Sequence, residues 1–129
     1  MQKSLAIGGA MVTASLLGIG GALAGPWEDG MAAYNRGDYM PAIRLFRPLA
    51  QQGNPKAQSV IGVMYRRGEG VARNPVRALM WFSMAAKRGD ARAKAELHDV
   101  SRDMTPAEIT EAEAMMRTCE ASDYRNCEY

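Results

Sequence analysis

The stretch YRRGEGVARNP, at residues 65–75, combines residue types that could bind an anion. Arg66 and Arg67 stand directly before Gly68 and Gly70, and glycine-rich loops can surround a phosphate with backbone N–H groups. Such a loop needs a strand before it and a helix after it, and the Walker form also needs a Lys followed by Ser or Thr. Neither feature is present, because helical patterns lie on both sides. The glycines are therefore predicted to supply positive φ angles in a turn between two helices.

The other residues capable of catalysis are isolated from one another. His98 is the single histidine, and a lone histidine on a helix is more often structural or solvated than catalytic. Ser83 and Lys87 are one residue too far apart for a Ser-x-x-Lys pair. Glu111 and Glu113 point to different faces of a helix. Two cysteines and one histidine give at most three zinc ligands, without a recognised spacing. No catalytic residue, metal or cofactor is predicted.

The first 24 residues have the pattern of a secretory signal peptide. Lys3 gives a short positive segment, an uncharged apolar run follows, and Ala22-Leu23-Ala24 has small residues at the two positions that define a cleavage site. Cleavage is expected after Ala24, which leaves residues 25–129 as one domain. An uncleaved membrane anchor is the alternative, and it is the one way in which a membrane would be a partner. The formal net charge of +2 is too small to indicate nucleic acid as a general partner.

Both cysteines lie close to the C-terminus, where Cys119 and Cys127 bound the segment CEASDYRNC. Disulfides form in the oxidising compartments that exported proteins enter. A disulfide between these two residues is therefore the preferred prediction, and free thiols or a metal pair are the alternatives. Because the loop is short, the bridge is expected to hold the C-terminus in place rather than to determine the fold.

A repeat with a period of 36 residues runs through the middle of the chain, and a fixed period of this size is typical of stacked repeats. It aligns Ala42 with Ala78, Phe46 with Phe82, Ala50 with Ala86, Gly53 with Gly89 and Ala57 with Ala93. No alternating β pattern occurs after residue 24.

Apolar spacing and capping residues predict five or six helices. Asp38, Asn54, Asn74, Asp90 and Thr105 are suitable N-caps, and Pro follows three of these residues at the first helical position. The predicted ranges are 27–36, 39–52, 55–67, 75–88, a helix capped by Asp90, and 106–119. Short connections make neighbouring helices antiparallel. The prediction is an all-α fold, a short α-solenoid of helix hairpins.

The segment AQSVIGVMYRRGEGVARNPVRALMWFSMAAKRGDARA resembles a Sel1-like repeat, a relative of the tetratricopeptide repeat. The residues that carry the resemblance are Ala57, Ile61-Gly62, Tyr65, Gly68-Glu69-Gly70-Val71, Asn74, Ala78, Trp81, Ala85-Ala86 and Gly89. The likeness is strong over about residues 54–93. Before it, Tyr34, Gly37, Ala42 and Phe46 resemble a tetratricopeptide hairpin. After it, the helix at about 105–119 is interpreted as a cap for the last apolar face.

The resemblance implies a non-enzymatic module that binds a protein or peptide partner in a concave groove formed by the first helix of each hairpin. By position, the groove residues would be Arg36, Lys56, Ser59, Val63, Arg66, Arg67 and Arg102. The arginines could bind an acidic segment or a C-terminal carboxylate. Equally, they could be ordinary cations at helix C-termini, where the helix dipole favours positive charge.

The signal peptide and the resemblance together predict a periplasmic or secreted protein, and an adaptor for cell-envelope assembly is one form that such a binding module could take. Some secreted Sel1-like proteins have cysteines at the spacing of Cys119 and Cys127 and are associated with penicillin binding or hydrolysis. A penicillin-binding or β-lactam-hydrolysing protein is thus the alternative from the enzyme class. A serine motif for that chemistry is absent from the sequence.

Overall fold

The computed structural model describes residues 24–127. Within this range the helices are α1 (Pro26–Asn35), α2 (Tyr39–Gln51), α3 (Pro55–Arg67), α4 (Pro75–Lys87), α5 (Ala91–Ser101) and α6 (Pro106–Ala121). No residue from 24 to 127 is in a strand. The predicted all-α fold is confirmed, and the predicted helix ends agree to within about two residues, as is usual for helix termini. The proposed signal peptide falls on residues outside the described range, Ala24 excepted, and stays a prediction.

Four of the five predicted capping residues bind the first turn of their helix. Asn54, Asn74 and Asp90 each accept the backbone N–H three residues later, at 3.1, 3.0 and 2.9 Å. Thr105 and Glu108 form a reciprocal capping box, with bonds of 3.2 and 2.9 Å. These contacts satisfy N–H groups that lack a partner inside the helix. The starts of α3, α4, α5 and α6 are therefore determined locally.

The prediction that the side chain of Asp38 caps α2 is wrong. Asp38 stands at the N-cap position, but its carboxylate makes no capping bond. It accepts a hydrogen bond from Arg36 Nε at 3.2 Å instead. The backbone of Asp38, with ψ of 71°, is not extended as a capping residue usually is. The carboxylate of Asp38 therefore binds Arg36, two residues away, instead of the backbone N–H groups at the start of α2.

Glycine and phenylalanine form the same contact in the first two hairpins. A Cβ atom on Gly30 would lie 2.7 Å from the ring of Phe46, and one on Gly62 would lie 2.8 Å from the ring of Phe82. Both rings are fully buried. The two helices of each hairpin can approach closely because the glycine leaves room for the ring. Phe46 and Phe82, which the 36-residue repeat aligns, therefore pack in the same way against a glycine of the preceding helix.

The helices contact mainly their neighbours in sequence, as expected for stacked hairpins. The exception is α6, which packs against α4 and makes few contacts with α5. The first helices of the hairpins, α1, α3 and α5, border a common cavity, and we call their shared surface the first-helix face. No helix in the described part of the chain is long and apolar enough to cross a membrane.

Candidate functional site

The glycine-rich stretch is a turn from α3 to α4, as predicted. Gly68 ends α3 with φ of 71°, and Gly70 has φ of 74°. A side chain on Gly70 would also lie 2.9 Å from the carbonyl oxygen of Tyr39. The N–H groups of Glu69 and Asn74 bond to the carbonyls of Met64 and Tyr65, at 2.9 and 2.8 Å. These two amides therefore bind the end of α3, and the close approach of Gly70 to Tyr39 places the turn against the first hairpin.

Glu69, in the middle of this turn, binds the preceding hairpin. Its carboxylate accepts a 2.7 Å hydrogen bond from the hydroxyl of Tyr34, at the end of α1. Burial, together with this bond and the charge of Glu69, raises the pKa of Tyr34, and the nearby Arg67 partly opposes the rise. A hydrogen bond to Glu69 is also the main reason that the pKa of Tyr39 is raised. The sequence analysis missed this contact, because residues 34 and 69 belong to different repeats.

The four predicted groove arginines have partners within the chain. Arg36 pairs with Asp38, and Arg66 pairs with Glu96 on α5. The guanidinium group of Arg102 bonds to Asp99 at 2.8 Å.

Arg67 lies beside the hydroxyl of Tyr34. Each arginine therefore has a contact within the chain, which fits the interpretation of these residues as cations at helix ends better than that of a carboxylate clamp.

Two of the predicted groove residues are not open to solvent. Val63 is 1% exposed and belongs to the core, and Ser59 is 2% exposed. Residues 57–65 of α3 are all buried, so none of these side chains stands free in solvent. The prediction assumed that one side of the helix was free, and it needs correction at both positions. Lys56, one turn before, is exposed as expected.

A cavity of about 180 Å³ lies on the first-helix face at the amino ends of the helices. It is lined by Trp27, Met31, Lys56, Ser59, Val60, Asp90 and Arg92. Lys56 and Arg66 are ten residues apart on α3, which corresponds to about 15 Å along the helix. The cavity therefore lies at the opposite end of α3 from the predicted arginine cluster, and it includes two of the predicted residues, Lys56 and Ser59.

Residues 55–90 match the Sel1 repeat family. The chain contains a Sel1-like repeat. The match covers α3, the glycine-rich turn and α4, and it ends at the capping residue of α5. Sel1 repeats generally mediate protein–protein interactions, and the family is typically non-enzymatic. The matched repeat therefore suggests a protein–protein interaction scaffold.

The two cysteines, which lie after the Sel1-like repeat, are joined. Cys119, in α6, and Cys127 form a disulfide with a Cα–Cα distance of 4.5 Å. Tyr124, which lies between the two cysteines, is buried. Its hydroxyl accepts a hydrogen bond from the guanidinium group of Arg88, and the central carbon of that group lies 5.0 Å from the centre of the tyrosine ring. The segment after α6 is thus held against the end of α4.

The structure groups few of the reactive side chains of the Sel1-like repeat protein. His98, Glu111 and Glu113 are exposed. Within residues 24–127, no group of three or more His, Cys, Asp or Glu side chains could hold a metal ion. The cavity on the first-helix face brings together the buried Ser59, charged side chains and apolar side chains.

Proposed function

We propose that this protein is an exported scaffold without enzymatic activity, which binds a segment of another protein on its first-helix face. The observation that carries the proposal is the cavity bordered by α1, α3 and α5, which lies beside the matched Sel1 repeat. A surface shared by the first helices of successive hairpins suits an extended segment, since each hairpin adds contacts along it.

Export to the periplasm or to the medium belongs to the same proposal. Its basis is the sequence pattern of residues 1–24, and the disulfide is compatible with an oxidising compartment. N-terminal sequencing of the protein recovered outside the cytoplasm is expected to begin at Gly25. Recovery of chains that begin at Met1 would contradict cleavage.

Site-specific photocrosslinking in the native host tests the binding surface. A photoreactive residue in place of Lys56, on the first-helix face, is expected to give a defined crosslinked product. The matched control is the same residue in place of Arg44, an exposed cation on α2. Crosslinks at position 44 alone would place the partner on the second helices, and no crosslink at either position would contradict the scaffold function.

An assay of β-lactam turnover by the purified protein tests the alternative from the enzyme class. We expect no β-lactam hydrolysis above the rate measured in buffer without the protein. Turnover that persists through further purification would overturn the non-enzymatic assignment.

A further inference from the structure

The cavity on the first-helix face has one apolar wall and one charged edge. Trp27 and Met31 come from successive turns of α1, and Val60 comes from α3. The ring of Trp27 is held in place by Phe46, with 5.4 Å between the ring centres. The apolar wall is thus formed before any ligand arrives, which lowers the entropic cost of binding.

The charged edge has an excess of positive charge. Lys56 and Arg92 are exposed, and neither has an ion-pair partner in the part of the chain that the structure describes. Asp90 is the one acidic residue of the lining, and its carboxylate accepts the N–H of Ala93 as the cap of α5. The amino ends of α3 and α5 add the positive ends of two helix dipoles. The edge therefore complements a negatively charged group.

A buried hydroxyl in the cavity lacks a partner. Ser59 is 2% exposed, and its Oγ makes no hydrogen bond to any of the described residues. Leaving such a group unpaired is unfavourable, so native proteins rarely do so. The oxygen itself is buried, so a ligand in the cavity would bind this hydroxyl only after the side chain rotates toward the cavity.

We propose that the cavity binds the C-terminal residue of a protein or peptide partner, and that this residue has an apolar side chain. The side chain would contact Trp27, Met31 and Val60, while the terminal carboxylate would bind Lys56, Arg92 and the Ser59 hydroxyl. A chain end carries both groups on one residue. This suits a cavity of about 180 Å³, which is smaller than the roughly 300 Å³ at which small-molecule pockets begin. The inference rests on the proposed binding function and gives it a chemical class of partner.

The test measures peptide binding to the full chain as purified. The probes are labelled short peptides of mixed sequence that all end in leucine, either with a free carboxylate or with a terminal amide. The carboxylate form is expected to bind about tenfold or more tightly, because a hydrogen bond to a charged group is lost in the amide. Trp27 emission should shift to shorter wavelength on binding. Equal binding of the two forms would overturn the proposal.

Further peptides separate a chain end from an internal acidic segment. Amidated peptides with an internal aspartate, and free-carboxylate peptides that end in aspartate, are both expected to bind weakly. If the amidated acidic peptides bound as well as those with a free leucine end, the carboxylate of a chain end would not be the ligand.

Variants locate the binding. Lys56→Gln and Arg92→Gln are each expected to weaken the binding of free-carboxylate peptides severalfold or more. Ser59→Ala is expected to weaken the same binding without lowering the melting temperature of the protein. Lys94→Gln is the matched control, because it removes the same charge from an exposed position of α5 outside the cavity. Equal loss in the control would indicate nonspecific attraction. A partner that crosslinks at position 56 but is insensitive to these variants would leave the scaffold function standing and overturn this inference.

Discussion

Single side chains connect the two best-defined repeats, and Glu69 is the clearest case. Its carboxylate lies in the turn between α3 and α4 and accepts the hydroxyl of Tyr34 from the preceding hairpin. The glycines on both sides of it hold the turn in a shape that brings the carboxylate to that hydroxyl. The glycine-rich loop, whose sequence resembles an anion-binding site, therefore presents an anion of its own, the carboxylate of Glu69.

The bond between Tyr34 and Glu69 predicts a stability that depends on pH. Since the folded state raises the pKa of Tyr34, the contribution is fully present below the ordinary tyrosine value of about 10. It is lost as the pH rises through the raised value. Tyr34→Phe is expected to lower the unfolding free energy by roughly 1 kcal/mol at neutral pH.

Urea unfolding of the parent and Tyr34→Phe at several pH values measures this difference. We expect the gap between them to narrow as the pH rises above that of ordinary tyrosine ionisation. A gap that stayed constant over the whole range would show that the hydroxyl contributes nothing through Glu69.

At the scale of elements, the close approach of paired helices depends on glycine. Gly62 lies in the middle of α3, where alanine would normally be preferred by about 1 kcal/mol. The ring of Phe82, fully buried in α4, occupies the space that a Cβ would need. The packing requirement and the helix propensity therefore oppose each other at this position.

Gly62→Ala is expected to destabilise the protein by about 1–3 kcal/mol, because overpacking a rigid core outweighs the gain in propensity. Chemical denaturation measures the change. The control is Gly62→Ala combined with Phe82→Leu, in which the smaller side chain should make the two changes less costly than their sum. Stabilisation by Gly62→Ala alone would show that the ring moves aside without cost.

The sequence predicted the elements well because the signals for them are local. Asn54, Asn74 and Asp90 cap helices through bonds to residues three positions away. The site was predicted less well because it depends on contacts between repeats. The partner of Arg66 is Glu96, thirty residues further on, and the burial of Ser59 and Val63 depends on the helices that pack against α3. No spacing within one helix reports these contacts.

At the scale of the molecule, the chain after α6 closes the end of the stack. Tyr124 is buried and contacts Arg88, whose guanidinium group also lies beside Gly53 at the end of α2. Lys87 at the end of α4 pairs with Glu120 of α6 at 3.2 Å. The end of α4 is thus a point where the first hairpin, α6 and the C-terminal segment meet.

Within this segment the backbone is held in an unfavourable conformation. Asp123 and Tyr124 have φ of 60° and 63°, a region that residues other than glycine seldom adopt. Such residues persist where the surrounding structure determines them. The disulfide, the contact of Tyr124 with Arg88 and the hydrogen bond from the Tyr124 N–H to the carbonyl of Cys119 are among the constraints that hold this segment.

Replacing both Cys119 and Cys127 with alanine should release this segment and leave the stack folded. A bridge across a separation of eight residues constrains the unfolded chain by about 2 kcal/mol, so the unfolding free energy should fall by about that amount. Hydrogen exchange should accelerate at residues 122–127 and remain slow in α3, which is buried throughout residues 57–65. Tyr124→Phe, which keeps the disulfide and loses only the hydroxyl, is the matched control and should change exchange much less. If α3 lost its protection from exchange together with the C-terminal segment, the prediction would be wrong. The whole fold would then require the disulfide, and contacts between neighbouring hairpins would not be enough to hold the stack.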